Sequence, residues 1–168
     1  MPAKATTLAE RCILIADAEV GSVEIPRGSN RGPRVDEYQR ATWLKPEDWG
    51  PWCASFVCWV IREAMWGGPK TYTFHRPRTA GAFDFERWSL EQDDSTRTRR
   101  NPGHDIQRGD IIIFSFSHIG FASGPPDKKG TFPTIEGNTN PAGGREGYAV
   151  LRKRRRITEV QTRIRFTV

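Results

Sequence analysis

The sequence contains few cysteines, no long apolar segment and no recognisable leader. Three of its 168 residues are cysteine, an odd number that argues against a disulfide framework. No apolar stretch approaches the length needed to span a bilayer, and the first residues lack the apolar core of a signal peptide. We therefore expect a protein that is made without a cleaved leader and has no transmembrane segment.

The three cysteines also fit no structural metal site. Cys12 lies in an apolar helical run and is expected in the core, whereas Cys53 and Cys58 are five residues apart. Zinc ligands usually lie two to four residues apart, with a second pair further along the chain. We expect neither a metal nor an organic cofactor.

The length and charge are compatible with one basic domain spanning residues 1–168. The formal net charge is +6, which favours a polyanionic partner such as nucleic acid, an anionic membrane or an anionic cell wall. A nucleic-acid partner is not expected, because the chain carries no zinc finger, heptad repeat or aromatic RNA-binding signature. The basic run over 152–156 is expected to be a solvated strand face.

Residue spacing divides the chain into a helical first part and a strand-rich second part. Helices are predicted over 7–20, 34–42, 51–66 and 78–90, and strands over 111–116, 118–122, 132–138, 147–153 and 162–168. The polar, charged segment 91–102 is expected to be exposed. Helices followed by consecutive strands are typical of an α+β fold with a mostly antiparallel sheet.

Cys53 stands in the first turn of a predicted helix. Gly50 and Pro51 precede it, and proline is preferred at a helix start, where its missing N–H costs no bond. Phe56 and Val57 follow at helical spacing, so the thiol shares their inward face. The helix dipole and the free backbone N–H groups favour the nucleophilic thiolate. The alternative is a cysteine that serves only as a small buried hydrophobic residue.

His118 is the histidine best placed to activate that thiol. It begins a strand directly after the apolar run 111–116, whereas the other two histidines lie in predicted loops. If that strand turns back near residue 127, Glu136 lies opposite His118 and meets the imidazole. Asn138, two residues further on the same face, is the other candidate partner. The alternative is an ordinary cross-strand polar pair.

These residue types are the parts of a thiol hydrolase. His118 takes the proton of Cys53, and Glu136 orients the imidazole and stabilises its positive charge. Asn138 assists Glu136 or replaces it. The thiolate attacks an amide carbonyl, and the backbone N–H of Cys53 meets the developing oxyanion.

Side chains upstream of the cysteine are candidates for contacting the substrate. Tyr38 and Gln39, on the short second helix, are candidate side-chain donors to the oxyanion. Trp49, Trp52 and Tyr38 are expected to bind the substrate.

Four segments, in the same order, resemble the CHAP domain of cysteine, histidine-dependent amidohydrolases and peptidases, which are relatives of NlpC-type and papain-like hydrolases. The segments are PWCASFVCWV, RGDIIIF, SHIGFASG and IEGNTN, and the resemblance runs from about residue 19 to residue 148. It implies a papain-like α+β fold, with N-terminal helices on a five- to six-stranded, mostly antiparallel sheet. By the same resemblance, Cys53 matches the nucleophile, His118 the base, Glu136 the third member and Asn138 a further polar position.

The resemblance also implies a substrate. The family's usual substrate is peptidoglycan, which its members cut at the muramoyl–alanine amide or within the stem peptide and cross-bridge. We therefore expect an antibacterial, cell-wall-degrading monomer, similar to a phage lysin or a secreted effector, that reaches the wall or periplasm by release, injection or non-classical export.

Two departures from the family and two alternative functions remain. No wall-binding repeat accompanies the domain, and the acids near Cys53 do not form the loop that binds calcium in some phage members, so calcium is not expected. The same chemistry could serve a thiol protease or toxin acting on a protein. A basic, non-catalytic module that binds polyanions is the other alternative.

Overall fold

The helices come first in the chain, as predicted. The computed structural model describes residues 6–66, 68, 72–142 and 147–168, and its helices are α1 (Leu8–Ala18), α2 (Pro33–Gln39), α3 (Cys53–Trp66) and α4 (Asp84–Leu90). The Thr7 hydroxyl accepts a hydrogen bond from the backbone N–H of Glu10 and caps α1. The helix stop predicted at 67–69 falls partly outside the described residues.

The strands form one antiparallel sheet, which confirms the predicted α+β class. They are β1 (Thr96–Arg100), β2 (Ile111–Phe114), β3 (His118–Ala122), β4 (Thr131–Thr139), β5 (Ala149–Arg156) and β6 (Val160–Phe166). Their order across the sheet is β1-β6-β2-β3-β4-β5, and every described pairing is antiparallel. The N-terminal helices and the six strands agree with the expected architecture.

Residues 91–102, which were expected to be exposed, contain the edge strand β1, which the sequence pattern did not identify. Its sequence, TRTRR, has no apolar residue, so it lacks the hydrophobic alternation that marks a strand. Arginines on an edge strand are nevertheless suitable, since charged side chains discourage further strand pairing. The predicted helix 78–90 is also shorter, since α4 begins at Asp84.

The sheet has a hydrophobic cluster on each face. The larger one joins the helices to alternate strand residues such as Ile113, Ile119 and Ile135. The smaller one contains Ile112 and Phe114 from the intervening positions. Residues of β2 therefore face both clusters, which fits the prediction of a strand buried on both sides.

Helix α3 lies very close to strand β4. A Cβ atom at Gly137 would lie 2.7 Å from Cβ of Phe56, so only glycine permits this approach without displacing the helix. Cys53 lies one helical turn before Phe56 and Glu136 directly precedes Gly137. The contact therefore fixes the start of α3 relative to the residues that surround the predicted site.

The described helices give no sign of a membrane span. Within residues 6–66, 68, 72–142 and 147–168, no helix combines the length and the apolar character needed to cross a bilayer.

Candidate active site

Cys53 is the first residue of α3, and neighbouring elements hold the chain on both sides of it. Nε2 of Gln39 donates to the carbonyl of Gly50 at 2.7 Å, and the hydroxyl of Ser55 donates to Oε1 of Gln39 at 2.9 Å. One buried amide therefore ties the loop before Cys53 to the first turn of α3. The first helical bond there runs from the N–H of Phe56, which leaves earlier N–H groups of the turn without helical partners.

Two of the aromatic residues expected to bind substrate are buried instead. Tyr38 and Trp52 each have 0% exposure, and their ring centroids are 5.6 Å apart. The Tyr38 hydroxyl donates to Glu19, and Nε1 of Trp52 donates to Glu24 at 2.8 Å. These aromatic side chains support the loops before α3, so the prediction that they contact substrate was wrong.

The suggested side-chain donors to the oxyanion are also engaged elsewhere. The Tyr38 hydroxyl is held by Glu19, and Gln39 is fully buried between Gly50 and Ser55. Both side chains position the backbone around Cys53. The N-terminal backbone of α3 remains as the source of donors.

Trp49 differs from these two residues because it reaches the surface. Its ring is half-buried, and the guanidinium groups of Arg31 and Arg40 lie 5.0 and 5.8 Å from its centroid. A role for Trp49 in substrate binding stays a prediction.

His118 is the first residue of β3 and is fully buried. Its Nε2 lies 2.8 Å from Oε1 of Glu136. The imidazole stacks on Phe114 and Phe116, each with a centroid distance of 5.9 Å. The stacked rings restrict rotation of the imidazole, and the carboxylate fixes Nε2 as the protonated nitrogen.

The strand register explains how Glu136 reaches that ring. Phe121 pairs with Ile135, so Gly120 lies opposite Glu136, and the predicted register was wrong by two residues. A shift of two residues keeps the same side chains on the same face. A Cβ atom at Gly120 would lie 2.7 Å from Cγ of Glu136, which shows that the carboxylate side chain passes over this glycine towards His118.

The thiol of Cys53 interacts with the imidazole of His118 through hydrogen bonding and charge. Burial alone would lower the pKa of His118, but side-chain hydrogen bonding and charge interactions with Cys53 and Glu136 raise it to about 9. Among the described residues, Nδ1 has no partner with good hydrogen-bond geometry. Because Nε2 is bound to Glu136, Nδ1 is the ring nitrogen that remains for the interaction with Cys53.

The other two cysteines are in different surroundings. Cys12 and Cys58 are fully buried, and burial raises the pKa of both thiols. The thiol of Cys58 donates to the backbone carbonyl of Thr79. Both groups therefore remain protonated at neutral pH, and neither interacts with a histidine in the way that Cys53 does.

Glu136 is a fully buried carboxylate that receives several hydrogen bonds. His118 and Nη2 of Arg155 meet Oε1, while Nε of Arg155 and the Thr134 hydroxyl meet Oε2. Burial would raise the pKa of Glu136, but the hydrogen bonds and charges of Arg155 and His118 lower it to about 2. An unpaired buried carboxylate would cost several kcal/mol, so these donors keep the group ionised.

Arg155 was not among the predicted site residues. It lies in the basic run expected to be solvated, but only 6% of its side chain is exposed, whereas Arg154 is 60% exposed. The alternation of side chains along β5 could have identified Arg155, because neighbouring residues in a strand point to opposite faces of the sheet.

No hydrogen bond from Asn138 to the His118 ring is found among the described residues, in contrast to its predicted role in orienting the ring. Asn138 has a φ of 52°, and the pairing of β4 with β5 is irregular between Glu136 and Thr139. Its side chain is 2% exposed, and Oδ1 has no hydrogen-bond partner among the described residues. A buried amide oxygen without a hydrogen-bond partner, on left-handed backbone, is a costly arrangement of the kind found at functional sites.

That amide lies at the wall of a cavity of about 670 Å³. Pro51, two residues before Cys53, lines the same cavity, which places it beside the candidate catalytic residues. Its other lining residues are Glu24, Arg27, Gly28, Asn30, Asn140, Pro141, Ala142, Gly147 and Tyr148. Cys53, His118 and Glu136 line neither this cavity nor a larger one of about 830 Å³, whose lining includes Trp43, Arg78 and Trp88 but not Asn138 or Pro51. We therefore associate the smaller cavity with the site.

The described part of the chain contains no cluster of three or more His, Cys, Asp or Glu side chains suited to a metal ion. The arrangement of Cys53, His118 and Glu136 can carry out nucleophilic and acid–base chemistry with protein groups alone.

The fold resembles that of a solved protein of low sequence identity. No family model matches the chain, and no curated protein matches it. The wild-type endolysin LysIME-EF1 has a similar structure, with a TM-score of 0.55 and 16% sequence identity. The similarity covers 95% of this chain and 64% of that protein, so the chain spans about two-thirds of its length.

Proposed function

We propose that this chain is a CHAP-like cysteine hydrolase that cleaves amide bonds in bacterial peptidoglycan. The observation that carries the proposal is Cys53 at the start of α3, beside a buried imidazole whose other nitrogen is bound by Glu136. Cys53 is the nucleophile, His118 the general base and acid, and Glu136 the residue that orients the imidazole.

The reaction follows from these positions. Nδ1 of His118 takes the thiol proton, and the thiolate of Cys53 attacks the amide carbonyl carbon. Unpaired backbone N–H groups at the start of α3 stabilise the oxyanion. The C–N bond then breaks as His118 returns the proton to the leaving amine, which leaves a thioester on Cys53. Water, deprotonated by His118, hydrolyses the thioester and restores the free thiol.

Three features support peptidoglycan as the substrate. The fold is similar to that of an endolysin. The motifs around Cys53, His118 and Glu136 resemble those of CHAP domains, whose usual substrate is peptidoglycan. The net charge of +6 suits the anionic polymers and carboxylates of a cell wall. The chain would then act as a monomer at the wall or in the periplasm, as a phage lysin or a delivered effector does.

The cavity beside the site provides room for the peptide part of such a substrate. Its volume of about 670 Å³ lies within the range of small-molecule pockets. Oδ1 of Asn138 has no partner among the described residues, so we assign it to accepting a hydrogen bond from the substrate's peptide backbone. Trp49, at the surface near the cysteine loop, is the candidate for contacting the glycan or peptide outside the cavity.

Digestion of purified sacculi tests the proposal. Cys53→Ala and His118→Ala should abolish the loss of turbidity while circular dichroism shows a folded protein, and Glu136→Gln should reduce the rate strongly without abolishing it. Cys58→Ala, in the same helix but against Thr79, is the matched control and should retain activity. Full activity of folded Cys53→Ala would exclude the proposed chemistry, and cleavage of proteins but not sacculi would favour a protease.

A further inference from the structure

Arg155 is buried at the back of the candidate site, although it belongs to a run of five basic residues. It lies in β5, and its guanidinium group stacks 5.1 Å from the ring centroid of Phe114 and 5.2 Å from that of Phe116. The same two rings stack on His118. The arginine and the histidine therefore share one pair of aromatic rings and one carboxylate.

The guanidinium group binds Glu136 through two of its nitrogens. Nε lies 2.8 Å from Oε2, and Nη2 lies 2.6 Å from Oε1 of the same carboxylate. Oε1 is also the atom that meets Nε2 of His118 at 2.8 Å. A two-point contact fixes the plane of the carboxylate as well as its position. Arg155 thus determines where the oxygen that orients the imidazole lies.

The charges around the imidazole balance when Arg155 is included. In the reactive state, Cys53 is a thiolate and His118 an imidazolium, while Glu136 is negative and Arg155 positive. Thr134 adds a neutral hydroxyl, and Glu159, 3.9 Å from Nη1 of Arg155, is partly exposed to solvent. Without the arginine, the buried group would hold an uncompensated negative charge beside the thiolate, which opposes formation of the thiolate.

Resting on the thiol chemistry proposed above, we propose that Arg155 is a positioning residue that acts through Glu136 to keep the thiolate–imidazolium pair accessible near neutral pH. Its effect is transmitted by the carboxylate that it neutralises and aligns, so removing that carboxylate should remove the effect.

The test measures the rate of Cys53 alkylation by iodoacetamide between pH 5 and 10, which needs no substrate. Arg155→Met should move the acid limb of this profile to higher pH by about one unit and slow the reaction at pH 6 about tenfold. Arg154→Met removes a neighbouring, exposed arginine that lies 3.5 Å from Asp127, and its profile should match the wild type. Thermal unfolding of each variant reports any purely structural effect separately.

The double variant distinguishes action through Glu136 from a general effect of charge. In the Glu136→Gln background, Arg155→Met should have little further effect, because no carboxylate remains to be neutralised or aligned. Arg155→Lys keeps the charge without the two-point contact, so the acid limb should stay in place while the rate falls severalfold. If Arg155→Met does not fold, the test uses Arg155→Lys instead.

Three results would overturn the inference. One is an unchanged profile in folded Arg155→Met, and another is an equal tenfold loss in the Glu136→Gln background. The third is a full-unit shift in Arg155→Lys. Failure of the proposed function looks different, since the wild type would then show ordinary slow alkylation of Cys53 and no lysis of sacculi.

Discussion

Gly120 lies opposite Glu136 in the sheet, and a Cβ atom on this glycine would lie only 2.7 Å from Cγ of the glutamate. The missing side chain gives the carboxylate its path to His118. The same Cβ atom would also lie 2.9 Å from the backbone oxygen of Ile135. A small shift of the backbone at residue 120 therefore cannot relieve the clash with Glu136. The hydrogen bond between Glu136 and the imidazole therefore depends on a glycine in the neighbouring strand.

Gly120→Ala should impair activity more than stability. The added methyl group displaces Glu136 from His118, and a misplacement of about 1 Å can cost about 10²-fold in rate. Overpacking should also lower the free energy of unfolding by about 1–3 kcal/mol. Sacculus lysis and chemical denaturation measure the two effects. Gly124→Ala is the control and should stay active. Gly124 follows the C-terminal end of β3, and a Cβ atom there would lie 3.1 Å from Cγ of Pro133. Wild-type activity in Gly120→Ala would contradict this role.

Asn138→Gly separates backbone strain from function. Glycine adopts the φ of 52° without strain, and removing an amide oxygen that lacks a protein partner loses no internal hydrogen bond. The melting temperature should therefore stay constant or rise, while kcat/KM on sacculi or a soluble muropeptide falls about tenfold or more, because one substrate contact is lost. A variant that is destabilised but fully active would show that Asn138 has only a structural role.

The protonation of His118 predicts how stability depends on pH. Its folded-state pKa is about 9, against an ordinary value of 6.5, so folding favours the imidazolium. The resulting stabilisation is fully present below pH 6.5 and is lost as the pH rises through about 9. A raised pKa of this size corresponds to on the order of 3 kcal/mol.

Urea denaturation at pH 6.5 and pH 9.5 measures this loss. The free energy of unfolding of the wild type should fall between these values, whereas His118→Gln should show a smaller fall. Cys53→Ala should be intermediate, because Cys53 contributes to the raised pKa and Glu136 still acts. Equal declines in all three proteins would mean that His118 does not titrate in this way.

The sequence predicted the elements that bear strong hydrophobic patterns. The run 111–116 identified β2, and small residues beside His118 identified the face on which a partner would lie. It also predicted Glu136 as that partner, although the assumed turn was displaced. A shift of two residues preserves the face, and so the contact survived the error.

The residues whose surroundings were predicted wrongly are placed by tertiary contacts, and a local sequence pattern contains no information about such contacts. Tyr38 and Trp52 are aromatic residues near a nucleophile, but each donates a hydrogen bond to a carboxylate from an earlier segment of the chain. In the sequence, Arg155 cannot be distinguished from its exposed neighbours, and its burial is evident only when β5 is paired with β4. Strand β1 has a polar sequence because it lies at an edge, where pairing with β6 alone holds it.

The most direct test of the central claim is mass spectrometry of the soluble products released from purified sacculi by the wild type and by Cys53→Ala. The wild type should release fragments with one new amine and one new carboxyl group, as amide hydrolysis requires, and folded Cys53→Ala should release none. Fragments cut at glycosidic bonds, or the same amide products from Cys53→Ala, would contradict the assignment of Cys53 as the nucleophile.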